Sequence, residues 1–284
     1  MNPHLHAVRA GLGRGWIEFL NSLRSPQDLG YYLFFGAGVL VYLYFNRNSA
    51  VEGTDLLYPA VALPSILGAL IAFGAYIGPM YALAVEREDG TLLRAKATPH
   101  GMTGYVSGQV LFQSVSAIPM LAILIIPGLF LFDGFAAQGV GSWLAVLGLI
   151  VLGLLAVLPI GIVVGSLIKS PNKIGTWGML PMIIMFGISG IFFPLQALWG
   201  WVQVVAQFLP MYWLGLGMRS ALLPGDAVAL EIGESWRTIE MIGVLGLWAV
   251  IGLLLTPIVL RRVARRQSGS AVEAGKQRAM QMYQ

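Results

Sequence analysis

The sequence predicts an all-α integral membrane protein with six transmembrane helices, an N-terminal amphipathic interfacial helix, and a re-entrant external helical hairpin between spans five and six. Three observations support this fold class. Hydrophobic residues make up 57% of the 284 residues and charged residues only 11%, less than half of the roughly 25% typical of soluble domains. Six apolar runs are long enough to cross a bilayer, and most Lys and Arg residues fall in alternate loops.

The N-terminal segment, residues 1–28, is predicted to be a cytoplasmic amphipathic helix on the inner leaflet. Its apolar residues recur every three or four positions, although Gly11, Gly13 and Gly15 weaken the prediction of a continuous helix. Two roles are open for it, docking of a cytoplasmic partner and anchoring to the lipid surface. The apolar stripe consists of Leu5, Val8, Leu12, Trp16, Phe19 or Leu20, and Leu23.

Residues 29–260 are predicted to form a six-span transmembrane domain, followed by a basic cytoplasmic tail at 261–284. A helix needs about 20 apolar residues to cross about 30 Å of hydrocarbon. The predicted spans are 29–45, 58–85, 110–132, 143–168, 174–193 and 239–260.

The distribution of cations predicts the orientation of these spans. Fourteen of the 17 Lys and Arg residues lie in the two terminal segments and the loops that share their side. The opposite loops hold only Arg47, Arg219 and Arg237. Because cytoplasmic loops carry an excess of cations, both termini are predicted to be cytoplasmic.

Within the stretch 195–223, residues 195–214 are apolar and about one span long, which raises the alternative of a seventh span. A full crossing would move the cationic tail to the outside, which the charge distribution disfavours. Pro210 would also break a continuous helix, and the Trp residues favour the membrane interface. We therefore predict a re-entrant hairpin of two short helices.

The second and third spans are joined by the most charged loop, residues 86–107. Acidic and basic residues are expected to pair along a short helix at the cytoplasmic surface, and Gly101 and Gly104 are expected to let the chain turn back into the bilayer. The alternative is an ordinary solvated loop.

Small residues four positions apart occur at Gly74 and Gly78 and at Gly161 and Gly165. Each pair places two glycines on one helix face, where another helix can approach closely. The approach can serve a dimer contact or packing within the chain, and the sequence leaves both open.

The residues argue against an enzyme. The nearest match to a phosphate-binding loop, around Gly275 and Lys276, lacks the required spacing and the Ser or Thr that holds magnesium.

No span carries a charge at its middle, which disfavours an ion-coupled carrier. With no cysteine there is no thiolate nucleophile or zinc thiolate site, no metal site is predicted, and the cation excess has a topological explanation that does not require nucleic acid.

Two motifs make the chain resemble the membrane subunits of type-2 ATP-binding cassette transporters, the exporters of drugs, lipids and polysaccharides. The first comprises Glu86-Arg87-Glu88, Gly90-Thr91-Leu92 and Thr98-Pro99 in the charged loop. The second follows the fifth span and comprises Phe193-Pro194-Leu195, Leu198, Trp201, Leu209-Pro210, Tyr212 and Arg219. The six-span order is also similar, whereas Trp199-Gly200 departs from the proline found after the leucine in many relatives.

The resemblance implies a permease of the bacterial cytoplasmic membrane that works as a homodimer or with a similar chain. It implies no cofactor in this chain, because ATP and magnesium would bind to a separate cytoplasmic ATPase. The residues implied in coupling to that ATPase are Glu86, Arg87, Glu88, Gly90, Thr91, Arg94, Pro99, Lys169 and Lys173, and those implied in the external hairpin are Pro194, Trp201, Pro210, Tyr212 and Arg219.

The resemblance also implies a substrate path between the second and fifth spans of two copies. Its candidate residues are Phe73, Tyr76, Met182, Met185, Phe186 and Ser189. Such a path has no fixed charge and suits a hydrophobic or amphiphilic cargo. Two alternatives stay open: contact with lipid or packing within the bundle for these residues, and a structural or assembly role without transport for the whole chain.

Overall fold

The computed structural model describes residues 3–51, 56–88, 90–132, 139–168, 173–191 and 195–266. Apart from an isolated bridge between Ala50 and Leu57, these residues form helices and their connections. The α-helices are α1 (Pro3–Ser22), α2 (Pro26–Phe45), α3 (Tyr58–Glu88), α4 (Thr91–Ala97), α5 (Gly101–Leu131), α6 (Val140–Leu167), α7 (Met179–Gly187), α8 (Gly200–Phe208), α9 (Pro210–Leu222) and α10 (Thr238–Arg266).

Five helices in the described residues are long and apolar enough to cross a membrane, namely α2, α3, α5, α6 and α10. Each corresponds to a span predicted from the sequence. The predicted fifth span is shorter: an apolar helix covers Ile174–Gly187, and it begins with a single π-helical turn at Ile174–Gly178. The chain then turns at Gly190, whose φ is +71°. The multi-pass architecture is confirmed, and the count of six spans stays a prediction.

Helix α3 lies at the centre of the bundle, where it packs against α6 and α9, while α6 also packs against α10. Glycines of α6 bring its backbone against α3. A Cβ added to Gly161 would lie 2.2 Å from the carbonyl oxygen of Tyr76, and one added to Gly165 would lie 2.9 Å from Cα of Met80. This glycine pair therefore serves packing within the chain.

Helix α1 is continuous and packs along the first turns of α5 through a face of small residues. A Cβ on Gly11 would lie 2.0 Å from the carbonyl oxygen of Gly104, and one on Gly15 would lie 2.4 Å from that of Gly108. The glycines that weakened the prediction of a helix are thus the residues that let it dock. Much of the predicted apolar stripe, including Trp16, faces outward, so the lipid-anchor and partner-docking roles both stay predictions.

The two-helix prediction for residues 195–223 is confirmed, and a continuous seventh helix is wrong. Helix α8 ends before Leu209, which has an extended backbone, and Pro210 occupies the first position of α9. Proline suits that position because it lacks an N–H that would be unpaired there anyway. Most of α9 is buried against α3, α6 and α10, whereas α8 exposes Trp201 and Phe208. Re-entry of this hairpin into a membrane stays a prediction.

Candidate functional site

The charged loop folds into the short helix α4, which connects α3 to α5 at one end of the bundle. Gly90 precedes it with φ at +80°, and His100 follows it with φ at +55°. Leu92 is fully buried and fixes α4 to its neighbours, while Arg94 and Pro99 are exposed. The predicted short helix is therefore present, but the turn lies at Thr98–His100 rather than at the predicted glycines. Gly101 begins α5, and a Cβ there would meet the Ala95 carbonyl oxygen at 1.8 Å.

Glu86 is buried at the end of α3 and forms an ion pair with Arg14 of α1. Arg14 Nε also lies 3.8 Å from Glu18 Oε2. The guanidinium carbon of Arg14 lies 5.6 Å from the ring centroid of Tyr105. Burial lowers the pKa of Arg14, but the two carboxylates raise it by more, so the net pKa lies above its ordinary value. The pairing expected along the loop stays a prediction, because Asp89 and the side chains of Glu88 and Lys96 lie outside the described residues. Glu86 itself pairs outside the loop. The partner of Glu86 is 72 residues away in the chain, so no local sequence pattern predicts the pair.

Arg87 reaches from α3 to the end of α6. Its Nη1 donates to the carbonyl oxygens of Ser166, at 3.2 Å, and Ile168, at 2.9 Å. The last carbonyls of a helix have no partner within the helix and carry partial negative charge, so a guanidinium there satisfies and stabilises them. Arg87 therefore joins the ends of α3 and α6.

Only some of the predicted coupling residues are exposed in the described part of the chain. Arg94 Nη2 donates to Thr91 Oγ1 at 2.8 Å on the outer face of α4. Lys173 is exposed just before the π-helical turn that precedes α7. Glu88 ends α3, and Lys169 lies outside the described residues. The arrangement is a small protruding helix whose flanks are tied to α1 through Glu86 and to α6 through Arg87.

In the described part of the chain, four of the six candidate path residues are buried and two are half-buried. The Tyr76 hydroxyl donates to the Gly178 carbonyl at 2.9 Å, and the Ser189 hydroxyl donates to the Phe186 carbonyl at 2.7 Å. Met182 is also buried, and Met185 is half-buried. The first bond joins α3 to the π-helical turn before α7, and the second closes the end of α7. Both are consistent with the packing alternative. Phe73 lies apart from them, on a cleft between α2, α3 and α5.

The second motif surrounds a buried ion pair that sequence reasoning did not find. Arg219 of α9 donates through Nε and Nη2 to the two carboxylate oxygens of Glu231, at 2.5 and 3.2 Å, and through Nη1 to Ser65 Oγ of α3 at 3.0 Å. Tyr212 is buried beside this region, Trp201 is exposed on α8, and Pro194 lies outside the described residues. These contacts hold α9, the segment after it and α3 together.

Comparison with known families gives one finding. A family model described as ABC-2 family transporter protein matches residues 31–258, from the first turns of α2 to the second half of α10. The matched range includes α4 and both ion-pair carboxylates, Glu86 and Glu231, but not Arg14. No match is found among curated proteins.

Proposed function

The chain belongs to the ABC-2 family transporter proteins, and from this we propose that it is the permease subunit of an ATP-binding cassette exporter that moves a hydrophobic or amphiphilic cargo out of the cytoplasm. Drug, lipid and lipid-linked glycan are the cargo classes. Family membership makes the chain a multi-pass membrane transport subunit. A separately encoded ATPase subunit would bind ATP and magnesium and supply the energy.

The observation that carries the proposal is the construction of α4. Arg94 on its exposed face and exposed Pro99 in the turn after it can meet a cytoplasmic ATPase, and its buried Leu92 attaches it to the bundle. Glu86 and Arg87 extend that attachment to α1 and α6. A displacement of α4 by the ATPase would therefore reach helices α1, α3 and α6 at once.

The proposed setting is the bacterial cytoplasmic membrane, with six spans, both termini in the cytoplasm and α4 at the cytoplasmic surface. The functional unit would contain two permease chains, identical or similar, and two ATPase subunits. The cargo would pass between helices α3 and α7 of the two chains. Apolar and polarizable side chains such as Met182, Met185 and Phe186 suit a hydrophobic cargo there.

Affinity purification of the tagged full chain from its native membrane in mild detergent tests the proposal. We expect a soluble ATPase to co-purify in stoichiometric amount, with ATP hydrolysis in the complex and none in the chain alone. A reproducible absence of an ATPase, under conditions that keep permease chains associated, would overturn the proposal in favour of a structural or assembly subunit.

A further inference from the structure

An open cleft of about 260 Å³ lies between α2, α3 and α5, with Leu154 of α6 also lining it. Helix α7 contributes no residue to this cleft, and of the path candidates only Phe73 lines it. The cleft is therefore a site distinct from the proposed path between permease chains, and nothing in the proposed coupling to an ATPase requires it.

The cleft changes from polar to apolar along its length. Gly78 of α3 meets the side chain of Gln113, and Gly36 of α2 meets that of Ile123, which fixes how the three helices align. By this alignment the first turns of α2 lie level with residues 113–116 of α5. Two turns farther along the bundle the lining is Leu70 and Met120. The polar residues that line the first part are Ser22, Asp28, Gln113 and Ser116, and Tyr31 and Tyr32 line the cleft one turn beyond Asp28.

Helix lengths give this gradient a position in the bilayer. Helices α3 and α5 have 31 residues each and are about 46 Å long, which exceeds a hydrocarbon core of about 30 Å. Helix α2 has 20 residues and matches the core. Its first turns, with Asp28, therefore lie at a membrane boundary, where Tyr31 and Tyr32 are favoured. The polar end of the cleft lies at the level of lipid head groups and the apolar end lies within the hydrocarbon.

Two features of the polar end indicate a ligand. Ser116 is only 9% exposed and lines the cleft, yet its hydroxyl has no hydrogen-bond partner among the described residues. Burying a hydroxyl without a partner is costly. Asp28 is the charged residue of the lining, and in the part of the chain that the structure describes it forms no salt bridge. A Cβ on Gly74 would meet nothing within 4 Å, so the wall between these groups is open.

We propose that this cleft binds one amphiphile with an ammonium head group. The ammonium lies against the Asp28 carboxylate and the faces of Tyr31 and Tyr32, where charge attraction and cation–π contact favour it. In a phospholipid the polar group next to the ammonium pairs with Ser116, and in any such amphiphile the hydrocarbon chain lies along Leu70 and Met120. A bilayer lipid and a diffusible cationic amphiphile share this chemistry.

Native mass spectrometry of the full chain released from maltoside micelles tests the proposal. The probes are phosphatidylethanolamine, phosphatidylglycerol with the same acyl chains, and dodecyltrimethylammonium. Gly74→Leu places a side chain in the open cleft, and Gly246→Leu is its matched control, because a Cβ at Gly246 also meets nothing within 4 Å and Gly246 does not line the cleft. Asp28→Asn removes the charge with little change of shape.

We expect the unmodified chain to retain phosphatidylethanolamine or dodecyltrimethylammonium about tenfold better than phosphatidylglycerol. Gly74→Leu should lower that retention by about tenfold, Gly246→Leu should leave it unchanged, and Asp28→Asn should remove the preference for the ammonium head. Retention of the lipid alone identifies a lipid site, and retention of dodecyltrimethylammonium alone identifies a site for a diffusible amphiphile.

Equal retention by the Gly74→Leu and Gly246→Leu variants, or retention of phosphatidylglycerol by the unmodified chain equal to that of the better-retained ammonium probe, would overturn the proposal. If Gly74→Leu fails to fold, the lipid preference of Asp28→Asn decides alone. None of these measurements involves ATP, so their failure is distinguishable from a failure of the proposed permease function.

Discussion

At the scale of single residues, the charged side chains named by the two motifs mainly connect helices. Glu86 reaches α1, Arg87 reaches the end of α6, and Arg219 reaches both Glu231 and Ser65. The sequence indicated that these positions matter, but it could not indicate their partners, because each bond joins elements that are distant or separated by turns. Arg94 is an exposed charge on α4, and it bonds to Thr91 of its own helix.

The ion pair between Arg14 and Glu86 gives the first prediction. Arg14→Ala should leave a buried carboxylate unpaired and lower the free energy of unfolding by about 1–2 kcal/mol, a discounted value because Arg14 is partly exposed. Thermal unfolding in detergent measures the effect. The double variant Arg14→Ala/Glu86→Gln should regain part of the loss, since it leaves no unpaired charge. A double variant as unstable as the sum of the single variants would contradict the pairing.

The buried pair of Arg219 and Glu231 should be more sensitive. Arg219→Ala is expected to cost about 3–5 kcal/mol, because it strands a carboxylate whose side chain is only 8% exposed. Arg219→Lys should not restore stability, since an ammonium cannot reproduce the two-pronged contact with Glu231 and the bond to Ser65. Glu240→Ala, which removes an exposed carboxylate, is the control and should change stability by less than about 0.5 kcal/mol. Similar losses of unfolding free energy for Arg219→Ala and Glu240→Ala would show that the buried pair contributes no more to stability than an exposed one.

At the scale of elements, hydrophobicity predicted five of the long helices and Pro210 predicted the break between α8 and α9. These features follow from local composition, which can be read directly from the sequence. The sequence did not predict the packing face formed by the glycines of α1, because that face contacts the backbone of α5, which is distant in the chain. The fifth span was predicted too long because hydropathy continues beyond Gly187, where the helix ends.

The packing of α1 on α5 predicts opposite effects for neighbouring glycines. Gly11→Ala should release α1 from α5, because the added Cβ would lie 2.0 Å from the backbone oxygen of Gly104, which cannot move aside. Gly13→Ala should instead stabilise α1 by about 0.5–1 kcal/mol, since its Cβ meets nothing within 4 Å and alanine favours a helix. Limited proteolysis at Arg9 and Arg14 measures the attachment of α1. Equal protection of the two variants would refute the close approach of the helices.

At the scale of the whole molecule, α4 is the element where contacts from several helices converge. It packs against α3, α5 and α10, and the residue pairs beside it reach α1 and α6. Contact with an ATPase and transmission of its movement are therefore separable. Contact would depend on exposed Arg94, whereas transmission would depend on buried Leu92. Charge reversal at Glu86 would test neither cleanly, because it breaks the tie to α1.

Two variants of α4 should separate binding from transmission. Arg94→Glu should reduce co-purification of the ATPase, while Arg47→Glu should not, because Arg47 follows α2 near Phe132 at the other end of α5. Leu92→Ala should keep the ATPase bound but leave α4 loosely attached, since it empties a fully buried site.

Transmission can be measured as a change in the distance between the ends of α3 and α6 remote from α4. The chain has no cysteine, so spin labels can be attached specifically after Leu57→Cys and Val140→Cys, both exposed positions. ATP should change the label distance in the otherwise unmodified complex and in an exposed-leucine control, Leu167→Ala, but not in Leu92→Ala. A full distance change in Leu92→Ala with the ATPase bound would show that movement reaches the bundle by a route other than α4. In that case the flanking bonds of Glu86 and Arg87 become the elements that carry it.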